Sequence, residues 1–152
     1  MPISMNERLA MLQTASRAWL DLSRTLAKLS DAQLLKPNTI GTWSGKDLIA
    51  HIANWEQVAT EAIEAAEAGD PDAWPDVDWD DDIDEMSEDL LDLWRDRSLA
   101  DVRQYLEDAH FTLMNLAEAS PHVRPDIVVF VTETHYNRHA DDVARLAKLP
   151  RS

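Results

Sequence analysis

The chain has 152 residues, with 29 acidic against 14 basic side chains, a formal charge of −15 and no cysteine. That charge repels nucleic acid phosphates and anionic membrane surfaces, and the lack of thiols excludes disulfides, a cysteine nucleophile, iron–sulfur ligation and cysteine-built zinc sites. The 45% hydrophobic content suits one globular domain over residues 1–152, and no apolar run approaches the roughly 20 residues that a membrane span requires.

The opening residues, Met1 to Arg8, have neither the basic cluster nor the apolar segment of a signal peptide, so a cytoplasmic protein is expected. From Asn6 to Leu29, the residues Leu12, Ala15, Trp19, Leu22, Leu26 and Leu29 recur at steps of three and four, which predicts a first long amphipathic helix. Ser30-Asp31-Ala32-Gln33 can cap a short extra turn, and Pro37 and Gly41 mark a loop. Ser44 and Asp47 then form a capping pair, in which the serine oxygen accepts a first-turn N–H and the carboxylate reaches back to the cap's own N–H. A second helix is expected from Ser44 to about Ala68, where Gly69-Asp70-Pro71 stops it. Its inward stripe runs Leu48, Ile52, Trp55, Ala59, Ala62, Ile63 and Ala66, and His51 joins it three residues after Leu48 and four before Trp55.

Residues 70–85 are strongly acidic and include Trp74 and Trp79. A calcium loop starting at Asp76 would need glycine sixth and glutamate twelfth, where Asp81 and Ser87 stand; a start at Asp78 puts Ile83 and Asp89 there. Both frames fail, and the segment reads as a solvated crossover whose indoles are candidates for a lid or pocket rim. Ser87 is placed as the cap of a short helix bearing Leu90, Leu91, Leu93 and Trp94. Ser98 with Asp101 opens a third long helix with Val102, Leu106, Ala109, Leu113 and Leu116 inside; His110 sits at the edge of that stripe and His122 in a solvent-facing loop. The last helix is expected from Pro125-Asp126 to about Lys148. Ile127 to Val131 alone resembles a strand, yet Val128, Val131, His135, His139, Val143 and Leu146 keep helical spacing, and no second strand exists to pair with it.

Four long helices joined by one long link predict an all-α, up-down-down-up four-helix bundle with the acidic crossover between helices two and three. Helices two and four are then antiparallel, which brings His51 level with His135 and His139 at 3.6 residues per turn. Two histidines one turn apart on one face can chelate a single ion. An inward histidine alone is more often a core residue satisfied by a carbonyl, so spacing leaves two readings open: a shared divalent metal, or three satisfied core imidazoles. Near them Tyr136, Asn54 and Thr132 are candidates to orient substrate or the ligands, and Trp43 and Trp55 read as core anchors.

The segments Trp43-Ser44-x-Lys46-Asp47-Leu48-x-Ala50-His51-x-x-x-Trp55-Glu56 and His135-Tyr136-x-x-His139 resemble the paired signatures of the DinB-like superfamily. That superfamily includes bacillithiol and mycothiol transferase-type proteins and the related ClbS/DfsB group. The resemblance covers nearly the whole chain and implies a divalent metal on His51, His135 and His139; imidazole ligands suit zinc, nickel and other first-row ions, zinc or nickel being expected first. It further implies a small-molecule substrate and a thiol S-transferase in which a low-molecular-weight thiol arrives as cofactor and attacks an electrophile. Metal-assisted hydrolysis of a reactive small molecule, and a non-catalytic binding or stress-protection module, are the competing expectations. No nucleic acid or membrane partner is expected, and a homodimer is.

Overall fold

A computed structural model describes residues 3–74 and 83–152. The centre of the acidic crossover, and the expectation that it forms a lid, lie outside the described residues. In chain order, α1 spans Met5–Ala27, α2 Asp31–Leu35, α3 Gly45–Glu67, α4 Ile83–Asp92 and α5 Leu99–Ala119. The last helical stretch comprises α6 (Pro125–Val129), a π-helical turn (Phe130–Thr134), α7 (His135–Arg138) and α8 (Ala140–Ala147). The described residues contain no strand, only an isolated bridge between Ile40 and Trp43 in the loop before α3.

Local chemistry sets the helix starts. Ser4, Ser30, Ser44 and Ser98 each accept the amide three residues on, and at Ser30 and Ser44 the partners Gln33 and Asp47 return the bond to complete a capping box. Gln33 also reaches across the fold, donating to the carbonyls of Ala147 and Leu149 at 3.4 and 2.8 Å, which satisfies carbonyls at the end of α8. At the far end of α3, Gly69 takes φ +101°, while the amides of Gly69 and Asp70 close back on Ala66 and Ala65 at 3.1 and 2.9 Å.

α3 is the central element. Leu48, Ile49, Ile52, Ala53, Trp55, Ala59 and Ile63 are all buried, against residues of α1, α5 and the last helical stretch. Cross-helix contacts fix the register. Lys46 Nζ donates to the carbonyls of Arg95 and Arg97, Tyr105 hydroxyl to Asn54, and His110 meets Glu56, so numbering rises together along α3 and α5. Arg8 bonds the Ala117 carbonyl and Trp19 stacks on His110, so α1 and α5 count in opposite senses. The same opposition holds where Gly45 meets Leu146 and His51 meets His135. At Gly45 a Cβ would lie 2.9 Å from Leu34 Cδ2, 3.0 Å from Leu146 Cδ1 and 3.1 Å from Leu34 Cα, so any larger residue would have to push α2 and the leucine tips aside.

Several sequence expectations need correction. Ser87 does not cap a helix, because α4 begins four residues earlier; its buried hydroxyl instead accepts from the Trp55 indole at 3.1 Å. Leu93 lies beyond α4 and is exposed. In α5, Ala117 rather than Leu116 completes the inner stripe, and His110 belongs to the core at 2% exposure.

The last stretch is not one regular α-helix. Ile127, Val131, His135, His139 and Val143 step by four, and a 3.6-residue helix drifts by about 40° per such step. The π turn, wider than an α turn, and a break at His139 (φ −101°, ψ 8°) take up that drift and keep one face inward.

Candidate metal centre

α3 brings His51 inward two turns from its Ser44 cap, and the last stretch brings His135 from the start of α7 and His139 from the break before α8. One potential ligand atom from each histidine lies within 4.8 Å of the others. The Nε2 atoms of His51 and His135 are 3.0 Å apart, and the three ring centroids are separated by 4.7, 5.1 and 4.9 Å. The expectation that these three rings meet holds.

Burial sets their charge. His51 is held down to about 3, and His135 well below the usual histidine value, first by loss of solvent and then by neighbouring histidines and Arg138. Both are therefore neutral at pH 7, the form in which imidazole binds metal. Among the described residues neither His51 Nδ1 nor His135 Nδ1 has a hydrogen-bond partner, although both are buried. Neither ring hands its Nδ1 to a carbonyl; each meets the other at Nε2.

His139 differs. Its Nδ1 meets Asp142 Oδ2 at 2.9 Å, and Asp142 also accepts from Arg145 at 3.4 Å. A carboxylate on Nδ1 leaves Nε2 as the lone-pair nitrogen and fixes the ring's orientation. His139 is also the most exposed of the three at 14% of its side chain, so the cluster meets solvent on its side. Trp43 packs against His51 with ring centroids 4.8 Å apart, and its indole N–H donates to Glu88 of α4 at 2.6 Å.

The His51–His135 pair has the spacing of two ligands on one divalent ion, with the His139 donor within 4.8 Å of both. Two imidazole nitrogens bound at about 2.0–2.1 Å to one ion stand about 2.8–3.4 Å apart at angles of about 90–110°, and the observed 3.0 Å lies inside that range. Three imidazole nitrogens with no thiolate suit a first-row divalent ion.

The family model of the DinB superfamily matches residues 14–142, which include all three histidines and Asp142. The chain belongs to the DinB superfamily. No curated protein and no solved structure matches it significantly.

Beside the histidines, this DinB chain buries a second polar cluster. Glu56 is fully buried on α3; its Oε1 lies 2.6 Å from His110 Nδ1, and its Oε2 accepts from the Tyr136 hydroxyl at 2.9 Å. Trp19 stacks on His110 at 3.9 Å. Burial raises the Glu56 carboxyl, opposed by its bonds from His110 and Tyr136, and burial followed by the Glu56 charge raises the Tyr136 hydroxyl. The sequence reading put His110 at the edge of its stripe and did not pair it with Glu56, but the signal was there. Glu56 lies four after Ile52 and three before Ala59, and His110 lies four after Leu106 and three before Leu113, both on inward stripes.

The other candidates have structural partners. Asn54 accepts from Tyr105 at 2.8 Å, Thr132 donates to the Val128 carbonyl at 2.7 Å beside the π turn, and Trp55 is a core residue at 1% exposure. His122 is exposed, as expected.

Proposed function

We propose that this DinB protein is a metal-dependent enzyme that joins a low-molecular-weight thiol to a small electrophile. His51, His135 and His139 would hold a divalent cation, zinc or nickel. The observation carrying this reading is the convergence of three imidazoles, two of them buried and neutral with their Nε2 atoms 3.0 Å apart. When bound, the ion supplies the positive charge that lowers the pKa of a coordinated thiol to or below neutrality. His51 and His135 give a fixed, dry part of the cradle, Asp142 sets the His139 ring, and Trp43 walls one side. With no cysteine of its own, the chain takes its sulfur nucleophile from the incoming thiol. Overall, the thiol gives up its proton, a carbon–sulfur bond forms, and the leaving group departs with that proton.

The surrounding scaffold is read as one domain with four helical layers in up-down-down-up order, supported by the shared sense of α3 and α5 and the opposed sense of their neighbours. No helix of the described residues is long and apolar enough to cross a membrane. A homodimer and a cytoplasmic setting belong to the same reading.

The test is consumption of a bacillithiol-like thiol with a model alkylating electrophile by metal-loaded protein, followed by product mass. A thiol adduct that disappears in His135→Ala supports the reading. A product with hydroxyl in place of the leaving group would replace it with hydrolysis, and intact electrophile after prolonged incubation would replace it with simple sequestration.

A further inference from the structure

α7 has four residues, and it lies between a π turn and a break. Such a segment has few regular i to i−4 bonds of its own, yet it carries His135. Its backbone is tied to the π turn by the His135 amide, which bonds the Phe130 carbonyl, and to the break by the His139 amide on His135; its distance from α3 is left to side chains. The neighbouring Tyr136 is buried at 5%, and its hydroxyl donates to Glu56, five residues past His51 on α3. Glu56 is in turn held by His110 of α5, and His110 by the Trp19 ring of α1. A run of contacts through all the long helices therefore ends one residue from His135.

We infer that Tyr136 is a positioning residue for the metal centre, its bond to Glu56 fixing the distance between α3 and α7 and so between His51 and His135. This rests on the metal reading above. The π turn is what makes the arrangement possible. It allows the adjacent residues 135 and 136 both to be buried, one turned to His51 and the other to the Glu56–His110 pair. Tyr136 does not touch the reacting atoms in this account.

The experiment measures affinity for zinc by competition with a chromophoric chelator, and the visible absorption of the cobalt-loaded protein, for wild type, Tyr136→Phe, Glu56→Leu, Glu56→Gln and Tyr105→Phe. Tyr136→Phe and Glu56→Leu are expected to weaken zinc binding by about 10–100-fold, the usual effect of removing a group that orients a ligand, and to alter the cobalt bands. Glu56→Gln keeps a carbonyl oxygen for the tyrosine hydroxyl and stays much closer to wild type. Tyr105→Phe removes a part-buried tyrosine bond between α5 and α3, to Asn54, and leaves affinity and spectrum unchanged. If Tyr136→Phe fails to fold, Glu56→Leu, which fills the same volume with apolar atoms, supplies the comparison. Wild-type affinity and cobalt bands in Tyr136→Phe overturn the inference while leaving the metal reading intact. Equal losses in Tyr136→Phe and Tyr105→Phe also overturn it, since that is general loosening. A wild type that binds no zinc removes the metal reading and the inference together.

Discussion

The depressed His51 makes the stability of the metal-free protein fall in acid, by an amount that can be worked out. Its folded-state pKa of about 3 lies below the ordinary value of 6.5, so the unfolded chain binds the proton first. The contribution is complete above pH 6.5 and is lost progressively as pH falls toward 3. Between pH 7 and pH 5 this amounts to about 2 kcal/mol from His51, at about 1.4 kcal/mol per pH unit once below 6.5. His135 adds in the same direction. Glu56 acts oppositely, since a raised carboxyl gives stability at low pH that is lost as pH rises through its folded value. Comparison with His51→Leu removes the His51 term, together with its share of the His135 shift, while keeping Glu56 and most of the packing. Urea unfolding in chelator at pH 7 and pH 5 is the assay. The wild type should lose about 2 kcal/mol more than His51→Leu over that interval. Equal losses, or a larger loss in the variant, would refute the claim that His51 is buried and neutral.

Three further outcomes follow from local geometry. Asp142→Asn should weaken zinc binding by about 10–100-fold with little change in fold, because the His139 ring loses its anionic acceptor; titration against a chelator reads this. Gly45→Ala should destabilise by about 1–3 kcal/mol in chemical denaturation, since the added methyl meets α2 backbone as well as two leucine tips. Ser44→Ala should cost about 1 kcal/mol by removing the cap from the Asp47 amide, and a thermal melt will detect it.

The capping serines at 30, 44 and 98 and the three- and four-residue stripes were legible because both depend on neighbours in sequence. The meeting of His51 with His135 and His139 was legible because helix lengths and one long link fix their levels. Ser87 was misread because a serine ahead of a leucine run suits either a cap or a helix interior, and the choice was made by Trp55, 32 residues away. The pairing of Glu56 with His110 was missed because His110 was placed at the edge of its stripe and Glu56 carries a charge that ordinarily belongs at the surface. Their burial is possible only because each supplies the other's partner, with Tyr136 as a third. The π turn was written in the strict step of four from Ile127 to Val143, a spacing that a uniform α-helix cannot keep on one face.

The most direct trial of the central claim is calorimetric titration of metal-free protein with zinc, beside a variant in which His51, His135 and His139 are all replaced by alanine. The account predicts one ion per chain for the wild type and no saturable binding for the variant. Equal binding by both, or none by the wild type, would contradict it.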